Sequence, residues 1–451
     1  MMSLQAIAAM TGAQLNGDPT AIVSRISTDT RDLRSGDLFV ALRGETFDGH
    51  DFIEAAGAAG AVAALVVRGA VPSTLATVRV DDTRRALGQI AAGWRLRHSL
   101  PLIAVTGSNG KTTVKEMIAA ILAAQHGADA RLATIGNLNN EIGVPRTLLR
   151  MSAAHASGVV ELGMNHPGEI VELARMTAPT VALVNNAQRE HQEFMSSVEA
   201  VARENGAVFT QLPSTGTAVF PHGTPWDPIW RDLAGPRATL TFGLESGADV
   251  SGSWSVDDRG VSLDVRGAVT INGLRLSVLG RHNAVNALAA TACASAAGIG
   301  VDAIRRGLEG FSAVAGRLQV KHRSDGSLLI DDTYNANPDS VRAAIDVLAD
   351  FPHPTCLVLG DMGEVGDEGP RFHAEIGAYA RERRITRLVA LGDAMSAAVD
   401  AFGDRAIHVS SHRQAAEQIG HSSVVLVKGS RFMRMERVVA HLTGEAVAGA
   451  H

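Results

Sequence analysis

The chain has 451 residues, 46% of them hydrophobic and 20% charged, with a formal net charge of −6. At about 150 residues per domain this length predicts two to four domains of ordinary globular composition. The negative charge argues against nucleic acid as the main partner, two cysteines (Cys293 and Cys356) exclude a disulfide framework and fit a reducing cytoplasm, and no apolar run approaches the roughly 18 residues of a membrane span.

Residues 1–10 contain no basic residue and include Gln5, which is not the pattern of a signal peptide. Residues 1–97 form a first block with strand candidates at 37–42, 63–67 and 77–80, separated by helical patterns such as 51–59. Residues 82–97 predict a helix with Leu87, Ile90, Ala91 and Trp94 on one face, carrying the chain into a second block. That block, residues 98–314, alternates helices with apolar strands at 102–105, 159–161 and 181–184, a pattern of parallel sheet covered on both faces. Within it, 261–265 and 274–278 alternate apolar and polar residues and predict antiparallel hairpins, before an alanine-rich helix at 282–297. The third block, 315–451, places strands at 328–330, 355–359, 388–391 and 424–427 between helices, a doubly wound pattern whose ligands sit at the carboxyl ends of strands.

The densest chemistry follows the strand at 102–105, where Thr106-Gly107-Ser108-Asn109-Gly110-Lys111-Thr112-Thr113 precedes a helical run at 114–124. A glycine turn between a buried strand and a helix aims backbone N–H groups and the positive helix end at a phosphate. Lys111 adds a full charge, and Thr112 or Thr113 offers a hydroxyl to magnesium. A lysine at a helix start is unfavourable by itself, and a bound polyphosphate removes the conflict. The common Walker A spacing needs a glycine six positions before the lysine; that position here is Val105.

Other polar groups cluster at predicted strand ends. Glu161 is well placed to hold magnesium near a phosphate site, whereas His166 reads as a structural loop histidine. His191 is equally a metal or substrate group and a plain loop histidine. Asn137, Asn139 and Asn140 lie in an amide- and glycine-rich loop that can contact a polar ligand, although composition alone favours a turn cluster. Asn283 and Asn286 share one helical face, with a cap plus a surface residue as the plainer account. A capped turn with Pro338 at a helix start explains Asn337 to Ser340 but not Asp332 or Tyr334. Lys428 and Arg431 can together receive a carboxylate or phosphate.

As a set these strings resemble the Mur ligases, the ATP-dependent amide-forming enzymes of peptidoglycan precursor synthesis, over essentially the whole chain. TGSNGKTT is shared by the wider superfamily. GNLNNEIGVP, ELGMNHPGEI, DDTYNANPDS, LGDMGEVGDEG and LVKGSRFMRMERVV are more specific, and resemble the branch that adds D-alanyl-D-alanine to UDP-N-acetylmuramoyl-tripeptide. The resemblance implies an α/β fold of three domains: a small N-terminal α/β substrate domain (1–97), a central P-loop-type parallel-sheet ATPase domain (98–314) and a C-terminal Rossmann-like α/β domain (315–451). It implies a cytoplasmic, monomeric ligase using ATP and Mg2+, with no nucleic acid partner and no membrane insertion. By the same resemblance Lys111, Glu161 and His191 are catalytic, and Thr112, Glu161 and His191 serve the metals. The loop from Thr106 to Thr113, with Asn283, Asn286, Arg317 and Asp332, binds ATP. Ser27, Thr28, Arg31, Arg43 and Gly44 hold the UDP end, Asn137, Asn139 and Asn140 meet the muramyl peptide, and Tyr334, Asn335, Asn337, Lys428 and Arg431 meet ATP and the incoming dipeptide. An acyl phosphate must be kept from water, so the third domain is expected to rotate inward when ligands bind. One departure stands out: where the family carries a carbon dioxide-modified lysine for a second magnesium, this sequence has Asn205, which leaves that metal to water or another group.

Overall fold

The run Leu102–Thr106 is buried along its whole length because it lies mid-sheet with helices on both faces. Its alternate side chains enter two cores. Ile103 and Val105 pack with Val114, Ile118 and Ile121 of the helix Lys111–His126 and with the helix Arg281–Ala296. Leu102 and Ala104 pack with residues of the helices Glu169–Thr177 and Val198–Gly206. This two-sided burial is why the strand reads as continuously apolar.

The computed structural model describes residues 1–70, 74–190, 193–257, 260–323 and 325–445. Among them the central sheet has nine strands in the order Ile271–Leu276, Gly260–Gly267, Val250–Asp257, Ala238–Gly243, Thr217–Pro221, Val181–Val184, Leu102–Thr106, Ser157–Glu161 and Arg131–Ala133. The predicted antiparallel strands extend one edge of this sheet: Val250–Asp257 pairs parallel with Ala238–Gly243 and antiparallel with Gly260–Gly267. The order reverses around Leu102–Thr106, whose neighbours are Ser157–Glu161 and Val181–Val184. Such a switch point opens a crevice beyond the carboxyl ends of the strands. The register, Glu161 opposite Val105 and Val184 opposite Thr106, delivers the phosphate-loop motif, Glu161 and the 185–190 loop to one sheet edge.

The C-terminal sheet has six strands, all parallel except the edge strand Gln319–His322. Asp332 and Lys428 are register partners at the ends of Leu328–Asp332 and Val424–Lys428. The N-terminal sheet of five strands includes Asp37–Val40, Ala63–Val67 and Ala76–Val80, close to the predicted limits. The predicted helix at 51–59 begins instead as a tighter turn, Gly49–Phe52, because Asp48 accepts from His50 N and caps it early; the helix proper is Ile53–Ala58.

The predicted connecting helix is Thr83–Arg95, capped by Asp82, which accepts from Arg84 N and Arg85 N. Leu87 and Ile90 enter the N-terminal core, Ala91 enters a central core, and Trp94 packs on both. Trp94 Nε1 donates to Met151 O at 2.9 Å. Buried Arg95 donates from Nε to Thr177 O at 3.0 Å and from a terminal nitrogen to Ala178 O at 3.1 Å. Burial lowers the pKa of this guanidinium, yet its carbonyl acceptors satisfy it, and the first block is thereby tied to the second.

Candidate active site

The loop after Leu102–Thr106 is shaped by two glycines. Gly107 (φ +125°) and Gly110 (φ +79°) hold left-handed conformations that favour glycine. A Cβ on Gly110 would lie 2.7 Å from Asn185 Nδ2 and 2.8 Å from Asn286 Oδ1. Those amides brace the loop from beneath: Asn185 Nδ2 donates to Asn109 O at 2.8 Å and to Asn286 Oδ1 at 3.0 Å, and Asn286 Nδ2 donates to Asn283 Oδ1 at 3.0 Å. Asn283 Nδ2 is anchored on Leu279 O at 2.8 Å. Asn283 and Asn286 thus point at the loop, as their helical spacing allows.

The helix Lys111–His126 begins at Gly110 with no side-chain cap and no acid in its first turn. Its leading N–H groups and dipole are left to an anion. Lys111 Nζ folds back, donating to Gly107 O and, at 3.2 Å, to Ser108 O. Thr112 Oγ1 donates to Glu161 Oε1 at 3.3 Å, and Asn139 Nδ2 donates to the same oxygen at 2.8 Å. Glu161 is 2% exposed, and its Oε2 has no partner among the described residues. A buried carboxylate oxygen left this way is costly unless a cation meets it. Among the described residues no three His, Cys, Asp or Glu side chains converge on one point, so any ion here rests on few carboxylates, with hydroxyls, phosphate oxygens and water. That donor set suits magnesium.

These groups line a cavity of about 1080 Å³ shared by the central and C-terminal blocks and touched by Arg84 of the first. Ser108 to Thr113, Asn137, Asn139, Asn140, Glu161, Asn283 and Asn286 face it from the centre. Arg317, Asp332, Tyr334, Asn335, Asn337, Lys428 and Arg431 face it from the C-terminal side. Thr106 and Gly107, the first residues of the motif, are not among the lining residues. Ser27, Thr28, Arg31, Arg43 and Gly44 are not among the lining residues. Ser27 Oγ donates to Asp32 Oδ1 at 2.6 Å, Arg31 pairs with Asp29 and Arg43 with Asp48. Arg31's hydrogen bonds hold the Asp29 carboxyl down at about 2. His191 lies outside the described residues.

Several contacts cross the cleft directly. Arg317 donates to Thr112 Oγ1 at 3.0 Å and stacks over Tyr334 at 4.0 Å. Asn337 caps the helix Pro338–Ala349 through a capping box with Ser340, and its Nδ2 also donates to Asn109 Oδ1 at 2.9 Å. Asn337 therefore forms the expected capped turn and also faces the phosphate loop. The acidic pair divides its labour. Asp331 accepts from Thr333 Oγ1 at 2.7 Å, and burial raises its pKa. Asp332 accepts from Leu318 N at 3.1 Å and pairs with buried Lys428 at 2.6 Å. Lys428 also donates to Asn335 O at 2.8 Å. Lys428 is thus matched in place, while Arg431, half exposed, lies 5.9 Å over Tyr334.

Family models match along the chain: the Mur ligase family catalytic domain over residues 22–95, the Mur ligase middle domain over 105–294 and the Mur ligase glutamate ligase domain over 316–431. A curated UDP-N-acetylmuramoyl-tripeptide–D-alanyl-D-alanine ligase of Escherichia coli K12 is 39% identical over 427 residues, 92% of this chain and 93% of its own length. The chain belongs to the Mur ligase family. Among solved Mur ligases, MurF from Acinetobacter baumannii matches with a TM-score of 0.92 at 33% identity, covering 98% of this chain and 99% of that one. MurF from Thermotoga maritima, solved in complex with ADP, matches with a TM-score of 0.83 at 28% identity, covering 93% and 97%. Folylpolyglutamate synthase from Mycobacterium tuberculosis, at 18% identity and a TM-score of 0.65, shares the fold over 80% of this chain and 95% of its own.

In this Mur ligase the structure adds residues that sequence reasoning missed. Lys115, fully buried, pairs with Glu116 and donates to Thr134 O at 3.0 Å, while Thr134 Oγ1 accepts from Glu161 N at 3.0 Å. The loop helix therefore positions Glu161 through Lys115. The signal was present: Lys115 is four residues after Lys111, on the same helical face. Arg189 and Glu190 lie in a polar loop, and the partners that give them a role, Asp339 and Glu375 for the first and Asn205 and Lys111 for the second, meet them only on folding.

Proposed function

We propose that this chain joins D-alanyl-D-alanine to UDP-N-acetylmuramoyl-tripeptide with cleavage of ATP to ADP and phosphate. Residues 1–97 hold the UDP end, 98–314 hold ATP, and 315–451 present the amine. The tripeptide carboxylate attacks the γ-phosphorus of ATP and forms an acyl phosphate with release of ADP. The dipeptide amine then attacks the acyl carbon, and the tetrahedral intermediate collapses with loss of phosphate and a proton. The observation that carries this reading is the single cleft that joins the uncapped loop helix, Lys111 and the unpartnered Glu161 oxygen to Arg317 and Asn337 from the opposite side.

Both carboxylate and triphosphate are anionic, so their approach needs fixed positive charge. Lys111 and the loop N–H groups hold the phosphates, and Arg317 faces them from the C-terminal side. Asn137, Asn139 and Asn140 orient the peptide. Glu161 and Thr112 would hold Mg2+, which screens the phosphate charge as a Lewis acid. Amine dependence tests the assignment: sustained ADP release in the presence of the tripeptide, beyond the single turnover that acyl phosphate formation allows, should require D-alanyl-D-alanine. Release driven by glutamate or a diamino acid instead would refute it.

The cleft is also latched. Arg189 donates to Asp339 Oδ1 at 2.6 Å and to Glu375 Oε2 at 2.8 Å, and its backbone N donates to Asp339 Oδ2 at 2.8 Å. Its guanidinium holds the Glu375 carboxyl below the usual glutamate range. A depressed carboxyl pKa adds stability that is present above the unfolded pKa and lost as pH falls through the folded one. The latch should therefore weaken in acid below about pH 4. Arg189→Ala is expected to cost about 2 kcal/mol of cleft closure, read as a larger radius of gyration by small-angle scattering of the ligand-saturated protein.

A further inference from the structure

A second buried carboxylate stands beside the phosphate loop. Glu190 is 6% exposed and lines the same cavity as Glu161. Its Oε2 lies 3.5 Å from Lys111 Nζ, and its Oε1 accepts from Asn205 Nδ2 at 3.5 Å. Charge-assisted pairs in full contact sit near about 2.8 Å. Lys111, the residue that the ATP phosphates draw on, thus stands just beyond full contact with Glu190, which places this carboxylate beside the phosphates.

By the sequence resemblance, Asn205 stands where the family would carry its modified lysine. It is 1% exposed and its amide is already engaged: Oδ1 accepts from Gly107 N at 2.7 Å, and Nδ2 donates to Val201 O at 3.1 Å as well as to Glu190. It brings no negative charge, but it ties the underside of the phosphate loop to the Glu190 carboxylate. The unpartnered Oε2 of Glu161 independently marks this cavity as a cation site. Magnesium takes one or two carboxylates and completes its shell with substrate phosphates and water, so a second carboxylate on the Lys111 side of the loop can hold a second ion.

We infer that Glu190, oriented by Asn205, holds a second magnesium against the ATP phosphates and replaces the modified lysine. This rests on the ligase reading of the cleft. It follows that the metal site of this chain needs no carbon dioxide.

The test counts Mn2+ bound to the full chain with a non-hydrolysable ATP analogue, by electron paramagnetic resonance. The wild-type protein should bind two ions. Glu190→Gln should bind one tightly, with the second weakened at least about tenfold. Glu190→Asp should keep both, the second at reduced affinity, and it carries the measurement if the glutamine variant does not fold. Two ions at unchanged affinity in the variant that folds would overturn the inference. So would a wild-type second ion that disappears in carbon dioxide-free buffer, or a carbon dioxide adduct in the intact mass. The amine-dependence assay varies no metal ligand, so failure of the ligase reading and failure of the Glu190 assignment are told apart.

Discussion

Lys111→Ala is expected to lower ATP-dependent ligation by about 10²–10³-fold, the loss typical of removing one preorganised group from developing charge. Lys111 Nζ rests on the carbonyls of Gly107 and Ser108 at the mouth of an uncapped helix. A cation placed there opposes the helix dipole. Relief of that opposition offsets the loss of the 3.5 Å ion pair with buried Glu190, so thermal stability should change little while phosphate transfer collapses. The check pairs a melting curve with ADP release at saturating substrates. Loss of folding with loss of activity would assign Lys111 a structural role, and unchanged ligation would remove it from the phosphate site.

Glu161→Gln is the second large effect. The amide keeps the volume and can keep an acceptor for Thr112 and Asn139, so the fold should hold. What is lost is the negative charge on the oxygen that has no described partner. If that charge holds magnesium, several kcal/mol of charge stabilisation goes with it, and the rate should fall by about 10²-fold or more. The Mg2+ concentration for half-maximal rate should also rise. A variant as active as the parent, with unchanged magnesium dependence, would exclude Glu161 as a metal ligand.

Much of this was legible in the sequence, for physical reasons. The strands at the switch point read clearly because they are buried on both faces. The phosphate loop read clearly because its glycines and lysine make poor structural sense without an anion. The strands Thr217–Pro221 and Ala238–Gly243 did not: threonine, proline and glycine interrupt their apolar runs, and the second is buried only at Thr241 and Phe242. Long-range pairings left no local trace. Lys428 is matched by Asp332 through parallel register across 96 residues, and Arg317 reaches Thr112 across 205. Glu190 was invisible for a similar reason: only folding brings it beside Lys111 and Asn205.

The most direct test of the central claim follows an oxygen atom. UDP-N-acetylmuramoyl-tripeptide carrying heavy oxygen in its reacting carboxylate is turned over with ATP and D-alanyl-D-alanine, and the inorganic phosphate is examined by mass spectrometry. Attack by that carboxylate on ATP predicts one heavy oxygen in each phosphate released and a pentapeptide product in equal amount. Phosphate without the label, or labelled phosphate formed without new amide, would contradict the account.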